Sequence, residues 1–125
     1  MPETGVCPCG GGLLDACCGP YLASQSWPET AERLMRSRYS AFALGDAEHL
    51  IRTWHPRTRP ETIDLDDTVW TQLDILDVVD GGVHDRVGVV EFAAHWRRGR
   101  RGGVQTERSR FERRGGRWFY LDAQA

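Results

Sequence analysis

The chain has 125 residues, of which 40% are hydrophobic and 10% aromatic, so it is long enough for one globular domain and unlike a fibrous or disordered chain. No stretch reaches the ~20 apolar residues of a membrane-spanning helix, and no basic and apolar leader opens the chain, so we expect a cytoplasmic protein without membrane contact. The net charge of −2 is too near neutral for nucleic-acid binding to be predicted from charge alone.

The charged residues are unevenly distributed. Residues 1–90 contain seven arginines against fourteen acidic residues, whereas residues 91–125 contain nine arginines against four, and lysine is absent. Codon usage in a GC-rich genome is the simpler explanation for arginine in place of lysine. Because arginine binds phosphate through two parallel hydrogen bonds, an anion-binding surface is the alternative.

The first feature along the chain is a cysteine cluster. All four cysteines lie within twelve residues, as Cys7, Cys9, Cys17 and Cys18. In a reducing compartment such clustering favours a metal over disulfides, and four thiolates supply the closed ligand set of a structural zinc ion. Residues 10–12 are all glycine, which lets the chain reverse between the two cysteine pairs. We therefore predict one structural zinc per chain, with unrelated or redox-active thiols as the alternative.

Three helices are predicted to follow. Residues 26–29 fit a capping box, and apolar residues then recur every three or four positions as far as Gly45, which suits a helix end. Asp46 is the candidate cap of a second helix, which stops before Pro56 because proline disfavours helical geometry in the residue preceding it. A second capping-box pattern at residues 58–61 predicts a third helix of about two turns.

The rest of the chain is predicted to be β-sheet. Four segments rich in β-branched and aromatic residues, separated by glycine-containing turns, span residues 70–79, 87–96, 104–113 and 118–122. The apolar residues of the first segment slip out of strict alternation, which predicts a β-bulge. Helices followed by a four-stranded antiparallel meander make an α+β domain. We place this domain at residues 26–125, after a knuckle and linker at residues 1–25.

The predicted core combines the first helix with the strands. Its largest members are expected to be Leu34, Met35, Phe42, Trp70, Phe92, Trp96, Phe111 and Trp118. Arg38 lies on the same apolar stripe, and because a buried guanidinium stays charged, it needs an acidic partner or several carbonyls. Glu107 and Asp122 are the candidate partners, since both share strand faces with large apolar residues.

Several segments resemble a known family. Residues 7–22 (CPCGGGLLDACCGPYL) resemble the SEC-C motif, a zinc knuckle, although seven residues separate the cysteine pairs where the motif usually has eight. Residues 34–39 (LMRSRY), 53–56 (TWHP), 107–111 (ERSRF) and 118–122 (WFYLD) resemble the YchJ family of bacterial proteins. The resemblance covers nearly the whole chain. It implies a knuckle followed by a nuclear-transport-factor-2-like, cystatin-like domain, a cone of curved four-stranded sheet closed by three N-terminal helices.

Cone folds of this kind commonly enclose an apolar cavity with a few polar groups. The candidates for such a pocket are Arg38, Tyr39, Trp54, His55, Glu107, Arg110, Tyr120 and Asp122. A structural ion pair inside the cone is the alternative for Arg38 and the acidic residues. His55, at a helix end, suits either proton transfer or the capping of helix carbonyls. No catalytic triad order and no nucleotide-binding glycine loop is present in the sequence, so no catalytic role is assigned.

Three functions are compatible with these features, and the fold does not decide between them. The first is an adaptor whose knuckle docks a protein partner. The second is a small-molecule-binding or isomerase- or dehydratase-like cavity in the cone. The third and weakest is nucleic-acid contact through the exposed loop at residues 97–101. A deep pocket with convergent polar groups would favour the second, and a filled cone the first. Catalysis and oligomeric state, including a dimer, stay open.

Overall fold

The computed structural model describes residues 5–124 as a layer of helices on one antiparallel sheet. A 3₁₀ turn at Leu14–Ala16 precedes three helices, which are α1 (Gly19–Leu22), α2 (Ala31–Leu44) and α3 (Ala47–Arg52). Four strands follow and pair in chain order, namely β1 (Val69–Asp80), β2 (Val87–Arg98), β3 (Arg101–Arg114) and β4 (Arg117–Ala123). This is the α+β architecture with a four-stranded antiparallel sheet that the sequence predicted. Among the described residues, no helix is long and apolar enough to cross a membrane.

The helix boundaries follow from local capping. The N-cap of α2 is Thr30, whose hydroxyl accepts a hydrogen bond from the backbone N–H of Arg33 at 3.1 Å. The helix ends at Gly45, whose φ of 77° is the left-handed conformation that glycine adopts without strain. Asp46 caps α3 by accepting from the backbone N–H of His49 at 3.0 Å, as the sequence predicted.

The predicted helix start at residues 26–29 is wrong, because this segment is held against β4. The indole Nε1 of Trp27 donates to the Trp118 carbonyl at 2.9 Å, and the indole Nε1 of Trp118 donates to the Glu29 carbonyl at 3.1 Å. This reciprocal pair of hydrogen bonds keeps the segment out of the helix. Helix α2 therefore begins at Ala31, one turn later than the capping-box pattern indicated.

The predicted third helix at residues 58–61 does not form. The Thr58 hydroxyl donates to the Leu121 carbonyl at 2.6 Å, and the Thr58 backbone N–H donates to the His55 carbonyl at 3.0 Å. These two hydrogen bonds hold Thr58 in a turn against β4 and not at the start of a helix. The short helix α1 was not predicted, since four residues are too few to show a helical period.

The strands lie where the sequence predicted, with β2 and β3 joined by a tighter hairpin. Gly103, predicted to lie in the loop, belongs to β3, where it pairs with Trp96 of β2, and the ring of Trp96 lies over it. A Cβ at this position would stand 3.0 Å from Cζ2 of that ring. Strand β1 shifts register between residues 70 and 72 and again between residues 75 and 77, which confirms irregular pairing in this strand.

The core lies between α2 and the sheet face that we call the inner face, which carries Phe92 of β2. Of the predicted core residues, five are buried: Leu34, Met35, Phe92, Phe111 and Trp118. Two are half-buried, Trp70 and Trp96, and Phe42 is 37% exposed. These three aromatic residues line open space beside the core instead of filling it. The same core cluster also contains three of the cysteines, Cys7, Cys9 and Cys18.

Candidate metal centre and interior cavity

The four cysteine side chains converge on one point. Their Sγ atoms all lie within 4.8 Å of one another, and all four are free thiols. Cys9 Sγ lies 3.6 Å from Cys7 Sγ, 3.5 Å from Cys17 Sγ and 3.8 Å from Cys18 Sγ. A tetrahedral ion with metal–sulfur bonds of ~2.3 Å holds its ligands ~3.8 Å apart, so the cluster could hold such an ion. The seven-residue spacing between the cysteine pairs therefore still closes into one ligand set.

Backbone geometry brings the cysteines together. The backbone N–H of Cys7 donates to the Gly12 carbonyl at 2.7 Å, which closes the loop between the two cysteine pairs. A Cβ at Gly11 would stand 2.9 Å from Cys17 Sγ and 3.2 Å from Cys9 Sγ. Any side chain at this position would thus enter the sulfur cluster, which explains why a glycine is needed there.

Mutual contact shifts the acidity of the thiols. The hydrogen bond from Cys18 lowers the pKa of Cys9 to about 4, outweighing the opposing effect of burial. Burial raises the pKa of Cys17 to about 11, and the hydrogen bond to Cys9 raises the pKa of Cys18. Cys9 is therefore more readily ionised than Cys17 or Cys18. A bound cation would favour the thiolate form of all its ligands.

Helix α2 supports the cysteine cluster on one side. Ser40 Oγ lies 3.4 Å from Cys7 Sγ, and Nη1 of Arg36 donates to the Cys9 carbonyl at 3.0 Å. Arg36 is itself held by Glu32, at 3.1 Å one turn earlier. Sequence reasoning missed these residues. Their only signal in the sequence is the spacing of Glu32, Arg36 and Ser40, which are polar residues four positions apart beside the apolar stripe of the helix.

A cavity of about 260 Å³ lies on the other side of α2, between the helix and the inner face of the sheet. Five of the eight predicted pocket residues line it, namely Arg38, Tyr39, Trp54, Glu107 and Tyr120. Two further lining residues, Gln105 and Ser109, follow from the alternation of β3 on either side of Glu107. The structure thus brings together residues that are up to 82 positions apart, from Arg38 to Tyr120.

The carboxylate of Glu107 accepts hydrogen bonds at the wall of the cavity. Its Oε2 accepts hydrogen bonds from Ser109 Oγ at 2.6 Å and from the Tyr120 hydroxyl at 3.2 Å. Burial and the neighbouring Glu107 carboxylate raise the pKa of Tyr120 to about 12. The hydroxyl therefore keeps its proton at neutral pH and remains a donor to Glu107.

Arg38 is 4% exposed, as expected for its place on the apolar stripe. Its Nη1 donates to the Leu50 carbonyl at 2.9 Å and to Thr53 Oγ1 at 2.8 Å, at the end of α3 where carbonyls lack helical partners. The guanidinium lies 5.0 Å from the ring centroid of Trp54 and 4.5 Å from that of Tyr120. Burial lowers the pKa of Arg38 to about 10, which still leaves it charged at neutral pH.

The predicted pairing of Arg38 with Glu107 or Asp122 is wrong. Glu107 is engaged by Ser109 and Tyr120 instead. Asp122 lies on the outer face of the sheet, where its Oδ1 accepts from Arg110 Nε at 2.6 Å. A register shift between β3 and β4 places Asp122 opposite Arg110 and so on the other face from Tyr120. Arg110 and Asp122 are therefore outside the cavity.

His55 also lies outside the cavity. Its Nε2 is 2.6 Å from Glu112 Oε1, and its Nδ1 accepts from the backbone N–H of Arg57 at 3.0 Å. Neither ring nitrogen caps a helix carbonyl, so that interpretation of His55 is wrong. The backbone N–H of His55 donates to the Tyr120 carbonyl at 2.8 Å, which ties the end of the α3 segment to β4.

Two buried polar atoms of the cavity wall lack a hydrogen-bond partner among the described residues. They are the Tyr39 hydroxyl oxygen and Trp54 Nε1. Burial raises the pKa of Tyr39 to about 12, so its hydroxyl keeps its proton. The nearby backbone N–H of Gln72 can only donate to this oxygen, so the hydroxyl proton has no acceptor among the described residues. A buried polar group without a partner costs about 1–3 kcal/mol, and here both groups belong to residues that line the cavity.

Comparison with known proteins places this geometry in a family. The family model for YchJ, middle NTF2-like domain, matches residues 30–123. The chain belongs to the YchJ family. The matched residues include α2, α3 and the whole sheet. They also include every residue that lines the cavity. The cysteine segment precedes the matched residues.

Curated relatives share the sequence over most of the chain. The UPF0225 protein SCO1677 of Streptomyces coelicolor is 50% identical over an alignment of 126 residues, which covers 99% of this chain and 98% of that protein. A UPF0225 protein of Chromobacterium violaceum is 48% identical over 121 residues, covering 93% of this chain and 90% of that protein.

Two solved structures share the fold. The solution structure of RPA3114, a SEC-C motif containing protein from Rhodopseudomonas palustris, matches with a TM-score of 0.83 and 36% identity, covering 96% of this chain and 98% of that one. The crystal structure of a SEC-C motif containing protein from Psychrobacter arcticus matches with a TM-score of 0.78 and 26% identity, covering 94% of this chain and 80% of that one.

Proposed function

We propose that this protein binds a small organic molecule in the cavity between α2 and the sheet. The observation that carries the proposal is the pair of buried donors, Tyr39 Oη and Trp54 Nε1, which have no partner among the described residues and belong to side chains that line the cavity. A ligand that accepts a hydrogen bond from either group would offset the cost of its burial. The resemblance to cone-shaped, cystatin-like domains, which commonly enclose a cavity, supports the same proposal.

The wall of the cavity limits the chemistry of the ligand. Its volume of about 260 Å³ is just below the ~300–1,000 Å³ of ordinary ligand pockets, so the ligand is small. Phe42 and Trp70 supply flat apolar surfaces at the wall, and Glu107 supplies an acceptor on the β3 side. A compact aromatic molecule with an acceptor at one end and a hydroxyl or amino group at the other fits these features.

We infer that the cysteine cluster holds one zinc ion. Four sulfur ligands leave no open coordination position, so the ion would have a structural role and would take no part in ligand chemistry. The convergence of the four Sγ atoms within 4.8 Å and the SEC-C description of two similar structures support zinc. Metal analysis of freshly reduced protein should give one zinc per chain, whereas four titratable thiols without metal would contradict the assignment.

A protein-docking role for the knuckle is the second candidate. The observation in its favour is that Val6 and Leu13 are bridged to each other and are 76% and 63% exposed. Replacing both with serine should then abolish a stable complex with a partner and leave the cavity unaffected. The partly unfilled interior and its convergent polar groups favour ligand binding as the main function.

The decisive experiment compares two tyrosines of the same cavity. Because the Tyr39 hydroxyl proton has no acceptor, Tyr39→Phe should leave the ligand-free protein equally stable or stabilise it by about 1 kcal/mol. Tyr120→Phe, the matched control, removes a hydrogen bond to Glu107 and should destabilise it by about 1 kcal/mol. Urea unfolding of both variants measures these changes.

Binding is then tested with 2-naphthol, a small aromatic molecule with one hydroxyl. In ¹H–¹⁵N spectra the Trp54 Nε1–H resonance should shift on titration, with the other indole resonances nearly unchanged. Tyr39→Phe should weaken this binding. A destabilised Tyr39→Phe would mean that the hydroxyl is already satisfied. An unchanged Trp54 resonance at saturating probe would mean that the cavity does not accept small aromatic molecules.

A further inference from the structure

A second cleft lies at one end of the sheet and shares no lining residue with the interior cavity. It has a volume of about 940 Å³ and is formed by the turn after α3, the start of β2 and the end of β3. Its wall carries four arginines, namely Arg57, Arg86, Arg113 and Arg114. We call it the arginine cleft.

The fold itself gathers these arginines. The backbone N–H of Arg113 donates to the Arg86 carbonyl at 2.8 Å, so antiparallel pairing sets these two residues side by side. Arg57 is fixed by its backbone hydrogen bond to the ring of His55. Arg114 ends β3, directly before the turn into β4. Three segments that are distant in the sequence thus bring four arginines to one cleft.

The arginine cleft gathers arginines that lack a carboxylate partner. Elsewhere in the chain five arginines each have a carboxylate within 4.0 Å, namely Arg36, Arg52, Arg98, Arg108 and Arg110, whereas the others are spread over the fold. In the described part of the chain none of the four cleft arginines has such a partner, and only the side chain of Arg113 donates to a protein acceptor, the Val83 carbonyl. The one carboxylate of the cleft, Glu112, is bound to the buried ring of His55. Four arginines and one carboxylate thus line the cleft.

We propose that the arginine cleft binds a small anion with two or more phosphate groups. Like charges gathered without counter-charges repel one another, and an anion in the cleft removes this repulsion. Arginine binds phosphate through paired hydrogen bonds, and the cleft is larger than one phosphate requires. No tryptophan, tyrosine or phenylalanine lines it, whereas single-stranded nucleic acid is usually held by stacking on such residues. A compact polyphosphate or phosphorylated small molecule is therefore favoured.

The test uses inorganic pyrophosphate and the full chain, by isothermal titration at ~50 mM salt, where charge contacts are only partly screened. The double variant Arg57→Gln and Arg114→Gln removes two cleft charges whose side chains make no hydrogen bond among the described residues. The control double variant Arg100→Gln and Arg101→Gln removes two exposed charges from the β2–β3 hairpin, outside the cleft. The two variants have the same net charge as each other, and thermal melts verify that both fold.

The expected result is saturable binding of one pyrophosphate, weakened about tenfold or more in the cleft variant and less than twofold in the hairpin variant. Equal weakening in both variants would overturn the proposal, because the effect would then be one of overall charge. Absence of binding at millimolar pyrophosphate would overturn it as well. So would a single-stranded oligonucleotide that binds through these arginines and is not displaced by pyrophosphate, since the surface would then be a nucleic-acid contact.

Discussion

At the scale of single residues, buried polar side chains are held by specific hydrogen bonds, and His49 is an example. His49 is 1% exposed, and its neighbours fix its protonation. Nη2 of Arg52 donates to Nδ1 at 3.0 Å, so Nε2 carries the proton and donates to Ser37 Oγ at 2.9 Å. The Ser37 hydroxyl donates its own proton to the Leu34 carbonyl at 2.8 Å. Burial and the positive charge of Arg52 lower the pKa of His49 to about 4.

This histidine predicts a pH dependence of stability. The pKa of His49 falls from 6.5 in the unfolded chain to about 4 in the folded one. As the pH falls below about 6.5, the unfolded state takes up the proton first, and stability is lost until about pH 4. The loss at pH 5 should be about 2 kcal/mol relative to pH 7.

Urea unfolding at pH 7 and pH 5 measures the effect. His49→Gln should flatten the profile, although it lowers stability at pH 7 by removing a buried hydrogen bond. Since the cysteines are present in both proteins, their protonation cancels in the comparison. The control His84→Gln changes an exposed residue and should retain the wild-type profile. Parallel profiles for wild type and His49→Gln would contradict the assignment.

Arg38 predicts a second residue-scale effect. Its replacement by alanine removes two charge-assisted hydrogen bonds, two ring contacts and buried volume, so we expect a loss of about 2–4 kcal/mol. Arg38→Met keeps most of the volume and should cost less. Arg33→Ala, an exposed change on the same helix, should stay within about 0.5 kcal/mol. If Arg38→Ala lowers the free energy of unfolding by less than about 1 kcal/mol, the guanidinium serves a ligand and does not stabilise the fold.

At the scale of elements, capping decides where α2 begins. Two residues with capping side chains compete in the sequence, Ser26 and Thr30, and only the second accepts a hydrogen bond from the helix. Thr30→Ala should therefore destabilise the protein by about 1 kcal/mol, and Ser26→Ala should change stability by less than about 0.5 kcal/mol. Thermal melts of the two variants make the comparison. A larger effect at Ser26 than at Thr30 would indicate that the helix begins at residues 26–29, as the capping-box pattern predicted.

At the scale of the whole molecule, the cysteine cluster is part of the main core. Cys7, Cys9 and Cys18 pack in one cluster with core residues of α2 and the sheet, such as Leu34 and Phe92. The sequence had instead placed the cysteines in a separate knuckle and linker at residues 1–25, before the domain at residues 26–125. Because the core is shared, we now expect metal removal to weaken the entire domain.

Chelation should lower the midpoint of a single unfolding transition that both indole fluorescence and far-ultraviolet circular dichroism report. The stabilisation by zinc should be about 4 kcal/mol when free zinc exceeds its Kd by ~1,000-fold. Cys17→Ser, which removes a half-buried ligand, should reproduce the effect without chelator. An unchanged midpoint after complete metal removal would show that the knuckle and the cone are independent, as a domain boundary at residue 25 implies.

Local chemistry made several features predictable from the sequence. Gly45 and Asp46 act through their own backbone and side chain, and the four strands follow from composition and alternation, so these needed no knowledge of distant residues. The cysteine cluster was equally predictable, since four thiols within twelve residues could supply a complete ligand set from one segment. The five candidates that line the cavity were identified through the family resemblance and through side-chain alternation.

Only the tertiary structure decided the remaining features, because each depends on groups far apart in the chain. Thr58 bonds to β4 and so gives up the cap that its local pattern suggested. The bulge opposite Arg110 turns Asp122 outward, and the end of α3 offers Arg38 its acceptors, which no spacing in the sequence reveals. Hydrogen bonds satisfied across the fold override local preferences, and one shift in strand register changes the face of every residue beyond it.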